Sequence, residues 1–160
     1  MYKAAVRWMI RRNIASINAG DYRPALAMFS DDVEFSFPGA NSWADEFRPV
    51  QRGRQVHVTH RGKAEVERFL QRYVAAGLQM EVEDILVNGP PWNLRAAVRV
   101  HDFAPGESGD RYNNRAVLFV TSKWGKLLTQ EDYEDTERAA AFDALLDGSA
   151  PVSERTAAPS

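Results

Sequence analysis

The chain has 160 residues and a mass of 18.0 kDa, a size that suits one domain with a substantial core and is short for two. Its 20 basic and 22 acidic residues give a net charge of −2 and a pI near 5.9, so the overall charge does not predict a nucleic-acid partner. The lack of cysteine excludes disulfides, thiol nucleophiles and thiolate metal sites. This composition fits a cytoplasmic protein, which is the location we expect.

The first segment, residues 1–17, is predicted to form an amphipathic helix. Four basic residues, Lys3, Arg7, Arg11 and Arg12, interrupt any apolar run, so the segment resembles neither a signal peptide nor a membrane span. We therefore expect no membrane partner. The residues that share the predicted buried face are Tyr2, Val6, Met9, Ile10, Asn13, Ile14 and Ile17.

The following segment, up to residue 76, is expected to alternate short helices and strands. Gly20 suits the left-handed position that ends a helix, and Asp21 and Pro24 suit the start of the next one. The predicted elements are a helix at 23–29, a strand at 33–37, a short strand at 55–59 and a helix at 64–76.

An irregular stretch, residues 40–54, interrupts this segment. A loop of that length inside a compact domain is a lid, a binding loop or a disordered flap. Trp43 and Phe47 favour a lid that packs against a ligand or against the rest of the domain, because disordered segments are poor in aromatic residues. Trp43 is therefore a candidate ligand contact, with simple loop packing as the alternative.

The second half of the chain predicts a meander of antiparallel strands. Its last two strands form a hairpin around the turn Lys123-Trp124-Gly125-Lys126. We expect Trp8 and Trp92 to be core or interface residues. The predicted elements are strands at 80–87 and 94–103, a hairpin over 112–135, a helix at 137–146 and a disordered tail at 147–160.

Helices in the first half of the chain and a strand meander in the second are typical of an α+β domain. We expect a curved, mostly antiparallel sheet wrapped around three N-terminal helices, which leaves a cone with an internal pocket at its open mouth. The domain is predicted to span residues 1–146.

Alternation along the strands predicts which side chains enter that pocket. We expect the polar side chains within these strands to face the pocket. The residues predicted to converge on the concave face are Arg99, His101, Asn114, Gln130 and Asp132. The apolar residues proposed to line the pocket with them are Phe37, Phe103 and Leu118.

Asp132 is the candidate catalytic residue, with His101 and Arg99 beside it. Burial would raise the pKa of the carboxyl and a guanidinium would lower it, so the balance decides its role in proton transfer. The alternative is a buried polar network in which these three residues satisfy one another. His57 and His60 are expected to be exposed, and the dispersed histidines do not predict a metal site or another cofactor.

Three stretches carry a family resemblance. They are N-A-G-D-Y-R-P-A-L-A-M-F-S-D-D-V-E-F (18–35), H-R-G-K-A-E-V-E-R-F-L (60–70) and the hairpin from Y-N-N-R to Q-E-D-Y-E-D-T (112–136). Together they resemble SnoaL-like proteins of the nuclear-transport-factor-2-like and ketosteroid-isomerase-like superfamily. The resemblance implies a cystatin-like α+β cone with an internal pocket. It also implies a range of activities that includes polyketide cyclases, isomerases, dehydratases, epoxide hydrolases and non-catalytic members.

Epoxide hydrolases of this superfamily use an Asp–Arg–Asp group with a Tyr and an Asn that hold a water. The resemblance places Asp132 at the first Asp and Arg99 at the Arg. His101 falls at the second Asp, and Glu34 and Ser36 fall at the Tyr and Asn positions. Three of the five positions differ, which argues against epoxide hydrolysis.

Three functional hypotheses follow. The first is a cofactor-free isomerase, cyclase or hydrolase that acts through Asp132 on a small apolar carbonyl or cyclic compound. The second is a ligand-binding domain with the same pocket and no turnover. The third is an accessory protein that forms a homodimer through the outer sheet face, where parity predicts Val117, Phe119, Leu127 and Tyr133.

Overall fold

The structure, a computed structural model, describes residues 1–38 and 57–146. The predicted lid at 40–54, with Trp43, and the predicted tail at 147–160 lie outside the described residues. The helices are α1 (Tyr2–Asn18), α2 (Arg23–Leu26), α3 (Lys63–Ala75) and α4 (Thr136–Leu146). The strands are β1 (Phe29–Pro38), β2 (His57–Arg61), β3 (Gln79–Asn88), β4 (Leu94–Ala104), β5 (Tyr112–Lys123) and β6 (Lys126–Glu134).

The described strands form one sheet in the order β2-β1-β6-β5-β4-β3. All neighbours are antiparallel except β1 and β6, which are parallel. The helices pack on the inner face of this sheet, so the fold is the α+β cone predicted from the order of elements.

Helix α1 has the amphipathic pattern that the sequence predicts. Val6, Ile14 and Ile17 are buried on its inner side, where α1 packs on β3. Asn18 ties the end of the helix to that strand, because its amide donates to the carbonyl of Met80 (2.8 Å) and accepts from the Met80 N–H (2.9 Å). The apolar face of α1 is thereby held over the sheet.

The core between α3 and β1 is aromatic. Phe35 lies edge-on to Phe37 and to Phe69, with ring centroids 4.5 and 5.1 Å apart. His60 lies beside Phe37 and is only 1% exposed, so the expectation that it is exposed was wrong. Residue His60 belongs to the core because β2 pairs with β1 and places it opposite Phe35.

Strand β1 begins four residues earlier than the pattern of alternation predicts. Phe29 pairs with Leu127 of β6, and the Leu127 N–H donates to the carbonyl of Met28 (2.8 Å). The backbone that would extend α2 to Phe29 is thus used by the sheet, and α2 ends at Leu26. Pairing with a distant strand overrides the local helical pattern here.

A register shift in the β5–β6 hairpin changes which side chains of β6 face inward. Thr121 pairs with Thr129, but Ser122 pairs with Leu127, so Leu128 is the extra residue of a bulge. Leu127 therefore packs against the core, whereas Leu128 is exposed. The prediction that Leu127 belongs to the outer face was wrong for this reason.

Candidate functional site

A cavity of about 400 Å³ lies between the helices and the inner face of the sheet. Its walls are mainly aliphatic and aromatic side chains from α1, β1, α3 and the four strands of the meander. Phe37, Leu118 and Gln130, three of the predicted ligand contacts, line it. A cavity of this size and composition suits a small, largely apolar molecule.

Asp132 lies on the wall of this cavity, on the inner face of β6, and is 7% exposed. Gln130, two residues earlier on the same face, donates from Nε2 to Asp132 Oδ1 at 2.9 Å. Burial raises the pKa of the Asp132 carboxyl well above its usual range, and the charges of Glu134 and Asp102 add to this. The Gln130 hydrogen bond opposes the rise in pKa but does not cancel it.

A second carboxyl, Asp102, enters the cavity from β4. The hydroxyl of Tyr73 on α3 donates to Asp102 Oδ1 at 2.9 Å, and both residues are buried. Burial raises the pKa of Asp102 to about 6, and the Tyr73 hydrogen bond limits the rise. Tyr73 has its own pKa raised well above 10, first by burial and then by the charge of Asp102.

A third carboxyl, Glu134, shares a network with Tyr112 and Asn114. Asn114 Nδ2 donates to the Tyr112 hydroxyl (2.8 Å) and to the backbone carbonyl of Asp135 (3.0 Å). The same amide lies 3.4 Å from Glu134 Oε2, and the Tyr112 hydroxyl lies 3.5 Å from it. Burial and the charge of Asp102 raise the pKa of Glu134 to about 7.

The predicted convergence of Arg99 and His101 with Asp132 was wrong. Strand pairing places Val98 opposite Leu118 and Asp102 opposite Asn114, so Arg99 and His101 point to the outer face. There Arg99 Nε forms a salt bridge with Glu83 (2.8 Å). The inner residues of β4 are the apolar ones and Asp102, because that face lies against the helices.

Other predicted site residues also lie outside the main cavity. His101 Nε2 lies 3.0 Å from Asn113 Oδ1, and Phe103 stacks on the His101 ring at 5.4 Å. Phe103 is therefore not a wall of the main cavity. Glu34 pairs with Arg61, and Ser36 contacts Thr59, both away from the cavity. The resemblance to epoxide hydrolases thus extends to neither position.

The sequence missed Asp102, Glu134, Tyr73 and Tyr112. Glu134 had a usable signal, since it shares the parity of Gln130 and Asp132. Asp102 had a weaker one, because it continues the apolar face of β4 formed by Ala96, Val98 and Val100. Tyr112 shares the parity of Asn114 on β5 and so had a usable signal, whereas Tyr73 reaches the cavity through the packing of α3 on the sheet, which strand parity does not describe.

One end of the cavity is open and the other is closed. Among the described lining residues, those classed as exposed are Tyr2, Ala5 and Gly125, at the start of α1 and in the β5–β6 turn. At the opposite end the rings of Tyr112 and Phe142 stack at 4.6 Å under α4. The mouth therefore lies where α1 begins and where the strand turns meet.

The polar groups of the cavity are suited to proton transfer. Within residues 1–38 and 57–146 no three His, Asp or Glu side chains are grouped so as to hold a metal ion. Carboxyls with pKa values raised toward neutrality can both donate and accept a proton near pH 7. An apolar cavity with such carboxyls on its wall is a typical candidate active site.

The family model for the SnoaL-like domain matches residues 10–129, and the chain belongs to this family. A search of curated proteins finds no match. In the part of the chain that the structure describes, no helix is long and apolar enough to cross a membrane.

Solved structures share the fold at low sequence identity. Bal32a, from a soil-derived mobile gene cassette, is 14% identical with a TM-score of 0.61, over 86% of this chain and 95% of that one. An NTF2-like protein from Burkholderia xenovorans is 17% identical with a TM-score of 0.54, over 85% and 93%. A ketosteroid-isomerase candidate from Kribbella flavida is 20% identical with a TM-score of 0.56, over 81% and 76%.

Proposed function

We propose that this protein binds a small, largely apolar carbonyl or cyclic compound in the cavity and that Asp132 transfers a proton to or from it. The observation that carries the proposal is the position of Asp132, a carboxyl buried on the mainly apolar wall of the cavity and held by Gln130. The isomerase name given to the Kribbella flavida structure agrees with this class of reaction.

The chemistry needs no cofactor in this proposal. An ionised Asp132 would accept a proton from a carbon next to a carbonyl group, and the protonated carboxyl would then return it to another atom of the same ligand. Gln130 donates to one carboxyl oxygen of Asp132 and thereby fixes the orientation of the carboxyl in the cavity. Burial raises the pKa of the Asp132 carboxyl, so its carboxylate is a stronger base than that of an exposed aspartate.

The hydrogen bonds of the site favour a second candidate, a binding protein without turnover. Asp102 accepts from Tyr73, and Asp132 accepts from Gln130. Polar groups that satisfy one another make a rigid wall and need no reacting partner. The two candidates share the cavity and differ only in whether a proton moves.

Proton exchange separates these candidates without knowledge of the natural substrate. A panel of small cyclic ketones would be incubated with the protein in D2O, and binding would be followed by the rise in unfolding temperature that a ligand causes. We expect a bound ketone to gain deuterium next to its carbonyl. Asp132→Asn should lower the exchange rate by about 100-fold or more while binding persists.

Glu131→Gln is the matched control, because Glu131 is the adjacent carboxyl of β6 and contacts Tyr133 on the outer face. This variant should exchange at the wild-type rate. Ketones that bind without any exchange would favour the binding protein, and exchange that survives Asp132→Asn would rule out the proposed role of Asp132.

A further inference from the structure

The mouth of the cavity is surrounded by exposed aromatic and basic side chains. We call the set Tyr2, Trp92, Lys123, Trp124 and Lys126 the rim. Trp92 is 56% and Trp124 67% exposed, so of the two roles predicted for Trp92, core or interface, the core is excluded and the interface stays a prediction. Their rings lie 5.8 Å apart, and the Trp124 N–H donates to the carbonyl of Pro91 at 2.7 Å. The β3–β4 and β5–β6 turns are thus joined into one edge of the mouth.

The conformation of the β5–β6 turn is costly for the residues it contains. Trp124 has φ 51° and Gly125 has φ 82°, the left-handed pair that favours Asn-Gly in a two-residue hairpin turn. A bulky residue at positive φ is uncommon. The strand pair next to the turn is Lys123 with Lys126, and like charges directly opposite each other are destabilising. An exposed Trp between two lysines is therefore unfavourable for the turn itself, apart from the contacts of Trp124 with Trp92 and Pro91.

The charge around the mouth differs from that of the whole chain. The segments at the mouth, residues 1–8, 88–95 and 123–126, contain five basic residues and no acidic one, whereas Asp31 and Asp32 follow the neighbouring segment that contacts Lys126. Lys126 Nζ contacts the carbonyl of Ala27 at 2.7 Å, which leaves its charge uncompensated. No salt bridge among the described residues includes Lys123 or Lys126. The net charge of −2 conceals this basic pole.

We propose that the rim docks on an anionic lipid surface, so that the mouth of the cavity faces the bilayer, in contrast to the expectation of no membrane partner that the first segment gave. Trp and Tyr side chains prefer the boundary between headgroups and acyl chains, and lysines beside them are attracted to anionic lipids. The rim consists of projecting turn tips and a helix end, which can enter a headgroup layer. This inference rests on the proposed function in one respect: an apolar ligand dissolves in the bilayer and enters the cavity without crossing water.

Two features favour lipid over an acidic protein as the occupant. The aromatic side chains project outward in a pair rather than lining a groove that a protein segment could fill. The lysines lie beside the aromatic pair, in an arrangement that does not require a partner with carboxylates at fixed positions. Peripheral membrane segments combine an apolar side with basic residues in the same way.

Vesicle binding tests this proposal with the full chain and no cavity ligand. Sedimentation with vesicles of phosphatidylcholine and phosphatidylglycerol should retain the protein at low salt. Vesicles of phosphatidylcholine alone, or high salt, should release it, because the attraction to anionic lipid is screened. Lys123→Gln combined with Lys126→Gln should lower the partition coefficient by about 25-fold, from about 1 kcal/mol for each lysine.

Trp124→Asn is the second variant, because Asn is favoured in this turn and the fold is expected to be retained. It should lower the partition coefficient by about tenfold or more, since the indole no longer enters the bilayer. Leu145→Ser and Arg138→Gln are matched controls on α4, at the opposite end of β5, roughly 35 Å from the turn. Both should bind vesicles as the wild type does.

The proposal would be overturned if the wild-type protein does not bind anionic vesicles at low salt. Equal binding by the wild type and both rim variants would overturn it too. Binding to poly-L-glutamate tests the alternative that the rim binds an acidic protein. That alternative would be favoured if the protein binds this polyanion but not the vesicles, and if Trp124→Asn leaves the binding unchanged. Asp132→Asn should leave vesicle binding intact, so a failure of the proposed chemistry and a failure of docking are distinguishable.

Discussion

Three carboxyls on the cavity wall, the buried Asp102 and Asp132 and the partly buried Glu134, set the chemistry of this cavity at the scale of single residues. Each has a raised pKa because burial disfavours its charge, and for Asp132 and Glu134 the charge of a neighbouring carboxylate adds to the rise. Such groups oppose folding when they are ionised, so they are costly unless the site uses them. They titrate as a coupled set, and an apparent pKa belongs to the set as well as to one residue.

The pH dependence of stability follows from these pKa values. The folded protein holds protons that the unfolded chain has lost, because the folded pKa of Asp102 is about 6 and that of Glu134 about 7, against 3.8 and 4.5 for the free groups. The free energy of unfolding is therefore highest below the unfolded pKa values and falls as pH rises through the folded ones. Chemical denaturation across this range should show the fall, and a rise in stability over the same range would contradict it.

Asp102→Asn should remove part of this pH dependence. The amide oxygen can still accept from Tyr73, and no charge has to be buried. We expect the variant to exceed the wild type in stability at pH about 8, by up to about 3 kcal/mol, and to lose that advantage at pH about 4. Glu131→Gln, at a carboxyl on the outer face, should show no such crossover. A loss of stability at every pH would instead show that Asp102 serves mainly to hold Tyr73.

Parity arguments at single residues succeeded for Gln130 and Asp132 on the hairpin and failed on β4. Gln130 and Asp132 share the inner face, as alternation predicts. Arg99 and His101 do not, because the assumption that polar side chains point to the pocket was applied to a strand whose outer face is the polar one. Alternation divides a strand into two faces but does not say which of them the helices cover. On β4 the run of Ala96, Val98 and Val100 was the better indicator.

At the scale of elements, local pattern predicted the kinds of helices and strands, and long-range pairing decided their limits. The bounds of α1, α3 and β3 follow from amphipathic or alternating patterns and are close to the predicted ones. The early start of β1 depends on Leu127, almost a hundred residues away, and no local pattern contains it. The bulge at Leu128 likewise depends on the pairing of β5 with β6. On the turn side of the bulge, the inward-facing and outward-facing positions of β6 are exchanged.

A pair of adjacent substitutions tests the bulge. Leu127→Ser should cost about 2 kcal/mol of stability, because Leu127 packs against both parts of the core. Leu128→Ser is the matched control and should cost little, since Leu128 is exposed. The two unfolding free energies would be compared by denaturant titration. The opposite order would mean that the strand keeps regular alternation and that Leu127 faces outward.

At the scale of the whole molecule, the outer face of the sheet joins charged pairs to exposed apolar side chains. Phe119, Tyr133 and Leu86 are exposed on this face, which also carries the Arg99–Glu83 and Arg115–Glu83 salt bridges. A face of this kind is typical of an interface with a polar rim. It lies across the sheet from the cavity, so pairing through it would leave the mouth open.

We expect this face to form a homodimer with twofold symmetry, as the sequence predicts. Light scattering at micromolar concentration should give twice the monomer mass. Phe119→Asp should shift the mass to that of the monomer, because it places a charge within the apolar part of the face. Leu145→Ser, on α4, should leave the mass unchanged. A monomer mass for the wild type would contradict the expected homodimer. It would not bear on the function proposed for the cavity.

The ionisation of Asp132 inside the cavity is the property on which the proposed function depends. NMR titration of the side-chain carboxyl carbons measures it directly, with the Asp132 signal assigned by its loss in Asp132→Asn. We expect Asp132 to titrate well above the range of about 4 that is usual for an aspartate, because burial disfavours its charge. An Asp132 signal that titrates near 4 would contradict a buried carboxyl tuned for proton transfer and would remove the basis of the proposed chemistry.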